Sequence, residues 1–263
     1  MHRVEFSDLD IAGGSVAALG LLKDDPVVLV QNTPKIDPEK SLKKLSKSLG
    51  TILHRGNKGF AKNLDFTGFH HLNAREAPVV APTGDVFQST TGNAIPIHTD
   101  EFFKKDSAEI VLLHCINPDP RGGESLIAYF DDVILALSEE DIKDLRRPLF
   151  PAPFGKVPVI YGRTDNPEIR YNRRVISESA TNYKNEIPGN IINLLDRFES
   201  AVEEKLTYYR LQRDECYIIQ NNKVLHGRTA LSPSNQRHLI RVRLHAGGSL
   251  TSGNCIEFNL DVQ

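Results

Sequence analysis

The sequence has no basic excess: Lys+Arg total 32 against Asp+Glu 34, a formal net charge of -2. Chains that grip phosphate backbones carry a positive surplus, so a nucleic-acid partner is not expected. Long apolar runs are missing too. No stretch approaches the roughly 20 consecutive apolar residues of a membrane-spanning helix. The start, Met1-His2-Arg3-Val4-Glu5-Phe6, has no basic region leading into an apolar core. These absences point to a cytoplasmic protein with no membrane partner, acting on a small molecule. Cysteine is scarce: Cys115, Cys216 and Cys255 are odd in number and far apart, which argues against a disulfide framework or a cysteine zinc site and suits reduced thiols. Neither an internal repeat nor a domain linker stands out. With 263 residues, 40% hydrophobic and 25% charged, the chain reads as one β-rich domain spanning 1–263. Its oligomeric state is not legible.

The elements follow from pattern. Val27 to Val30 is a run of β-formers too short for a helix and reads as a buried strand. Asp37-Pro38-Glu39 opens a helix, with Leu42, Leu45 and Leu49 at helical spacing. Residues 7–22 read as a short helix and turn, and 55–59 as loop. Ala108 to Ile116 is the most strand-like stretch, and Glu124 to Tyr129 is another strand candidate. Ser138-Glu139-Glu140-Asp141 caps a helix whose first turn is acidic. Short β-like pieces follow at 157–160 and 169–172, and the longest helix is predicted over 188–209 on an apolar stripe. Strands are expected at 216–220, 224–226 and 237–245, with a Gly/Ser-rich tail from Gly247.

Chemistry concentrates at two places. His98 and Asp100 stand two apart, so on a strand an imidazole and a carboxylate project to one face. His226 closes a later apolar strand. Two neutral imidazoles and one carboxylate that leave positions open form the facial triad of non-haem Fe(II) oxygenases, although zinc accepts the same set in a hydrolase. A non-catalytic binding module with a vestigial site is a third possibility. His70-His71 tempts as a ligand pair, but adjacent strand residues face opposite ways and cannot easily share one metal. His114, inside an apolar strand, reads as a hydrogen-bonded core residue. Downstream of His226, alternation puts Arg237, Arg241 and Arg243 in one row. Three guanidinium groups on one face need anions, whether solvent-borne or a bound carboxylate held bidentately.

With these parts assembled, His98-Thr99-Asp100, Gly122-Gly123-Glu124-Ser125 and His226-Gly227-Arg228-Thr229-Ala230 followed by Arg237-His238-Leu239-Ile240-Arg241 resemble the taurine dioxygenase and clavaminate synthase-like family of Fe(II)/2-oxoglutarate-dependent oxygenases. The resemblance runs from about Val27 to His245 and implies a mainly β fold, a double-stranded β-helix or jelly roll with flanking helices. It implies that His98, Asp100 and His226 bind Fe(II), that Ser125 and Arg237 hold the far carboxylate of 2-oxoglutarate, and that Arg241 faces the prime substrate. Ser125 departs from the threonine usual in the family but keeps its hydroxyl. With O2 as the second cosubstrate, 2-oxoglutarate would be converted to succinate and CO2 while a C–H bond is oxidised, most simply by hydroxylation. Retention of Asp100 disfavours halogenation, since halogenating relatives carry a small residue there. Segments 101–107 and 161–186 read as polar, loop-like lids, in which Arg170, Asn172 and Arg173 are candidates for substrate contacts. Family members act on sulfonates, aryloxy acids, amino acids and natural-product intermediates. A small amino-acid-like or other carboxylate-bearing metabolite is the expected substrate.

Overall fold

Apolar runs become strands and amphipathic ones helices, in an order set out here from a computed structural model that describes residues 1–11, 15–35, 37–54, 68–73, 80, 86, 88–102, 104–182, 186–233 and 236–246. The chain begins with β1 (His2–Glu5), α1 (Phe6–Ile11), α2 (Ser15–Asp24), β2 (Val27–Gln31), α3 (Pro38–Leu49), β3 (Gly50–Ile52) and β4 (Phe69–Asn73). After a 3-10 turn at Gln88–Thr90 come β5 (Ile95–His98), β6 (Ile110–Asn117), β7 (Ser125–Tyr129), α4 (Phe130–Ile134) and α5 (Glu139–Leu145). Two hairpins follow, β8 (Phe150–Ala152) with β9 (Gly155–Val157) and β10 (Ile160–Arg163) with β11 (Asn166–Ile169). The chain continues through α6 (Arg173–Asn182), α7 (Gly189–Glu204), β12 (Thr207–Tyr209), β13 (Cys216–Gln220), β14 (Val224–Arg228) and β15 (His238–Ala246).

Two sheets face each other. The larger runs β1-β2-β13-β6-β15-β3, with β4 also paired to β15, and the smaller runs β12-β7-β14-β5. Between them lies a core to which the large sheet sends Leu29, Val111, Cys115, Tyr217, Ile219 and Leu239, and the small sheet Ile127 and Val224. Outward-facing Val28, Leu112, Ile218 and Val242 bury against Leu22, Leu42, Leu45 and Leu49 of α2 and α3. On the other side, Ala128 and Leu225 of the small sheet pack under Val175, Leu194, Leu195 and Phe198 of α6 and α7. This is the mainly β jelly roll with flanking helices that the resemblance implies.

Several local expectations hold for the stated reasons. Asp37 caps α3 by accepting from the Lys40 N–H at 2.9 Å, with Pro38 in the first turn. Ser138 caps α5 by accepting from the Asp141 N–H at 3.1 Å. Other expectations are corrected. The longest helix stops at Glu204, because Thr207–Tyr209 pair with β7 as an edge strand. The amino-terminal residues, which carry no strong strand signal, form β1 by pairing in parallel with β2. The segment 161–186 is no loop: it holds the β10–β11 hairpin and α6, and Ile169, Tyr171, Val175 and Ile176 are core residues. The described residues of segment 101–107 form no helix or strand, as expected, but Phe102 within it is fully buried in the same core. The loop at 55–59, the tail from Gly247 and Cys255 lie outside the described residues. Among the described residues, no helix is long and apolar enough to cross a membrane.

His70 and His71 sit on β4 and do face opposite ways. His71 meets His238 at 2.8 Å and Glu39 at 3.0 Å on the helix-covered side. His114 is a buried core residue whose Nδ1 lies 3.2 Å from the Thr33 hydroxyl. That hydroxyl spends its proton on the Asp214 carbonyl at 2.7 Å, so the imidazole must be the donor to Thr33.

Burial pushes the His114 pKa down to about 4. An unfolded chain protonates this histidine near pH 6.5, so stability is full above that pH and is lost as pH falls toward 4. The expected loss is about 3 kcal/mol. Urea denaturation at a series of pH values should show this slope in the wild type and a flatter one in His114→Gln. Equal slopes in the two would assign the acid sensitivity to other groups.

Candidate metal centre

The first site segment is shaped by a turn. β5 ends at His98, so Asp100 is not the alternate residue of one strand that its spacing suggests. The chain is clamped on both sides as it leaves the sheet. Thr99 donates its N–H to the Tyr171 carbonyl at 2.8 Å, and its hydroxyl accepts from the Tyr171 N–H at 3.0 Å. Asp100 donates its N–H to Asn221 Oδ1 at 2.8 Å, while the Asn221 amide donates back to the carbonyls of Asp100 at 3.1 Å and Ala108 at 2.8 Å. Glu101 follows at φ 61, a left-handed conformation uncommon for a non-glycine residue. Its carboxylate accepts from the Ala108 N–H at 3.0 Å, which fixes the reversal.

The second segment is the inner face of β14. There His226 pairs across to His98 on one side and to Ile127 on the other. The two imidazole rings lie 4.6 Å apart. Asp100 Oδ1 stands 3.5 Å from His98 Nε2 and 3.8 Å from His226 Nε2, and the three ligand atoms fall within 4.8 Å of one another. Ligands held about 2.1 Å from one metal at right angles would be roughly 3 Å apart, so the cluster needs little adjustment to close on an ion.

Protonation favours the same reading. His98 Nδ1 lies 2.9 Å from the Pro96 carbonyl and must carry the hydrogen, which leaves the Nε2 lone pair directed at the cluster. Burial, with the neighbouring His98, pushes the His226 pKa down and keeps its imidazole neutral. Its Nδ1 is buried with no hydrogen-bond partner among the described residues.

Asp100 is 3% exposed, and its carboxylate bridges the two sheets. Arg241 Nη1 donates to Oδ1 at 3.2 Å and Arg243 Nε to Oδ2 at 2.7 Å, both from β15 of the opposite sheet. Burial would raise the Asp100 pKa, but the two guanidinium groups outweigh it and hold the carboxyl well below the usual range. Burial and the adjacent Arg243 bring Arg241 down to about 10, still protonated at neutral pH.

Behind this cluster lies a cationic recess. Ser125 is buried on β7 and pairs with Arg228 of β14, two positions along from His226 and on the same face. Gly123, at φ 67, packs so closely on Arg237 that a Cβ there would stand 2.9 Å from Arg237 Cδ. Gly122 is crowded in the same way: a Cβ there would collide with the Ala230 carbonyl. Asp119 organises the loop, accepting from the N–H groups of Arg121 and Gly122 and from the N–H and hydroxyl of Ser232. Arg228 spends its guanidinium on the carbonyls of Thr91 and Asn93. Arg237 is 8% exposed and has no hydrogen-bond or ion-pair partner among the described residues. Burial, reinforced by Arg228, lowers its pKa to about 10. A buried protonated guanidinium without an ion-pair partner is costly, and such a group can accept an anion.

A cleft of about 700 Å³ opens from His98, Asp100, Arg241 and Arg243 over β5 toward Glu199 and Glu203 of α7. Asn172 lines it beside His98, although its side chain also accepts from the Val175 N–H at 3.1 Å and so starts α6. Arg173 lines it too and is tied to Asp196 at 2.7 Å. Arg170 is not part of the cleft. It is 5% exposed and donates to the Lys105 carbonyl at 3.0 Å and the Ser107 hydroxyl at 3.2 Å, with Phe154 and Tyr161 beside it. Two residues from Asn172, it would share a face with it in a regular strand, but its guanidinium turns to Lys105 and Ser107 instead. The row of three arginines is also modified. β15 begins at His238 and its pairing with β6 slips between His238 and Leu239, so Arg237 stands outside the regular strand. Ser125 and Arg237 do not line the cleft; both are buried.

The family model described as taurine catabolism dioxygenase TauD, TfdA family matches residues 4–243. No curated protein matches the chain. Among solved structures the chain is similar to asparagine oxygenase in complex with Fe(II), 2S,3S-3-hydroxyasparagine and succinate, at TM-score 0.66 and 17% identity over 87% of this chain and 78% of that one. It is similar to the non-heme iron oxygenase OrfP in complex with Fe and alpha-ketoglutaric acid, at TM-score 0.66 and 17% identity over 91% and 84%. It is also similar to OrfP with Fe, succinate and (3S)-hydroxy-L-Arg, at TM-score 0.64 and 16% identity over 93% and 94%. At such identity these likenesses speak to the fold.

Asn221 is a site residue that sequence reasoning missed, and its clamp on Asp100 can be tested. Asn221→Ala removes all three hydrogen bonds and leaves the Asp100 N–H and two carbonyls unsatisfied in the interior. The free energy of unfolding in urea should fall by about 1–3 kcal/mol for each group not rescued by water. A change within about 0.5 kcal/mol, the range of ordinary surface substitutions, would show that the clamp is dispensable.

Proposed function

The chain belongs to the taurine catabolism dioxygenase TauD/TfdA family, and from that premise we propose that it is an Fe(II)- and 2-oxoglutarate-dependent dioxygenase, one domain over 1–263, that hydroxylates a small amino-acid-like metabolite. One observation carries the reading beyond the family: a two-histidine, one-carboxylate cluster is accompanied by a buried arginine that makes no hydrogen bond or ion pair among the described residues. Iron takes such a ligand set, and a dicarboxylate cosubstrate would supply the missing partner for the arginine. A zinc hydrolase would leave Arg237 without a role.

In this reading His98, Asp100 and His226 would hold iron, the histidines through the Nε2 atoms that face the cluster. Arg237 takes the far carboxylate of 2-oxoglutarate, with the Ser125 hydroxyl as its companion. Bound iron and 2-oxoglutarate supply the oxidising chemistry: one O2 converts 2-oxoglutarate to succinate and CO2 and leaves one oxygen atom in the substrate. The protein positions the reactants. The buried recess keeps water from the cosubstrate carboxylate, and β5, α6 and α7 wall the cleft in which the substrate lies. Arg241, with Asn172 at the cleft wall, faces the substrate and selects an anionic group. The amino-acid class is supported by the hydroxylated asparagine and arginine held in the two similar structures.

Incubation with Fe(II), 2-oxoglutarate, O2 and a panel of free amino acids should yield succinate together with a product heavier by one oxygen atom. Ala in place of His98, Asp100 or His226 should abolish both while the protein stays folded; near-normal turnover in any of the three removes that residue from the set. Arg237→Gln should weaken 2-oxoglutarate by about 2–5 kcal/mol, as when one partner of a buried charge pair is truncated. Arg241→Gln should instead leave the 2-oxoglutarate requirement near normal and uncouple succinate formation from substrate oxidation. The opposite pattern would exchange the two roles, and equal weakening would put both arginines on one anion.

A further inference from the structure

Arg241 and Arg243 look interchangeable in sequence, two cations on one strand face, but they treat Asp100 differently. Arg243 approaches through Nε, at 2.7 Å, and touches Oδ2. Arg241 approaches through a terminal nitrogen, at 3.2 Å, and touches Oδ1, the oxygen that faces both histidine Nε2 atoms. The shorter contact therefore ties down the oxygen pointing away from the cluster. Arg243 is itself firmly placed. Its backbone is held in register between β6 and the rest of the large sheet, opposite Val111.

We propose that Arg243 is the positioning residue of the metal centre. It holds Oδ2 of Asp100 in a charge-assisted hydrogen bond, so that Oδ1 alone is presented to the metal and the carboxylate binds through one oxygen. The inference rests on the metal-centre reading above and adds what that reading leaves open: how a carboxylate on a turn, rather than on a strand, keeps one orientation. The contact comes from the sheet opposite the histidines, so Asp100 is fixed by one sheet while both imidazoles are fixed by the other. The clamp by Asn221 holds only the backbone of Asp100. Of the described side chains that contact the carboxylate, Arg243 makes the shortest contact and is the one on Oδ2.

Coulomb's law alone gives the opposite expectation. Removing a positive charge next to a divalent cation should tighten binding, whereas removing the partner that orients a ligand typically weakens metal affinity by about 10–100-fold. The sign of the change therefore decides. The probe is Co(II), which is stable to air on the timescale of a titration and whose visible spectrum follows the number and arrangement of its ligands. Wild type, Arg243→Gln, Arg243→Lys and Arg241→Gln are titrated with Co(II) at neutral pH, with the folded fraction of each followed by circular dichroism.

Arg243→Gln should bind Co(II) about 10–100-fold more weakly than wild type, with an altered spectrum, and Arg241→Gln should lose less. Arg243→Lys keeps the charge on a flexible stem without the planar guanidinium; it should fall between wild type and Arg243→Gln, and it carries the test if the glutamine variant does not fold. Arg243 variants that melt earlier yet bind Co(II) as tightly as wild type, or more tightly, would overturn the proposal and leave Arg243 a structural ion pair. If wild type itself shows no saturable Co(II) site that Asp100→Ala abolishes, the metal-centre reading fails instead.

Discussion

A single buried carboxylate sets the terms for the rest of the structure. Asp100 stands 3% exposed between two sheets, with two guanidinium groups on one side and two imidazoles on the other. A charge in that position is tolerated only if it is paired and hydrogen-bonded. Everything around it meets that need: β15 supplies the arginines, β5 and β14 the histidines, and Asn221 satisfies the backbone where the chain leaves the sheet. A metal ion would add charge of the opposite sign on the side where the two imidazoles face the carboxylate.

The jelly roll is suited to this because its two sheets bring residues distant in sequence to one interior face. His98 and His226 are adjacent through strand pairing on the small sheet, and Arg241 and Arg243 look across from the large one. The helices do a separate job. α2 and α3 cover the outer face of the large sheet and α6 and α7 that of the small sheet, which makes both sheets stiff platforms. Site atoms on such platforms move little, as preorganised chemistry requires. The recess behind the cluster is assembled from loops, with Gly122 and Gly123 allowing the 119–123 turn to lie directly against Ala230 and Arg237.

Much of this was legible in the sequence, and the misses share a cause. Strand periodicity and the order of apolar runs announce the β-rich body, and the His-x-Asp spacing with a distal histidine announces the cluster. Asn221 was illegible because nothing in the short polar link Asn221-Asn222-Lys223 between two expected strands marks a site; Gln220 ends the first of them. In the fold all four residues are buried, and each hydrogen-bonds to a neighbouring segment or its own turn. Arg170 was misjudged for the converse reason, since a charged residue near a suspected lid suggests a pocket, and only the packing shows its guanidinium turned toward Lys105 and Ser107. The segment 161–186 reads as loop because its hairpin is short and its helix carries few apolar residues; burial against α7 and the small sheet, a tertiary effect, makes it structure. Arg243 was visible in the row of arginines, but its distinct contact depends on which atom reaches which carboxylate oxygen, and spacing carries no such information.

The central claim, that His98, Asp100 and His226 hold Fe(II) in front of an Arg237 that receives 2-oxoglutarate, is tested most directly by a visible spectrum recorded without oxygen. Chelation of iron by 2-oxoglutarate gives a metal-to-ligand charge-transfer band that neither zinc nor an empty site can produce. Addition of 2-oxoglutarate to the Fe(II)-loaded protein should raise this band to saturation, and Asp100→Ala should abolish it. A folded, iron-loaded protein that shows no band at any 2-oxoglutarate concentration would contradict the account.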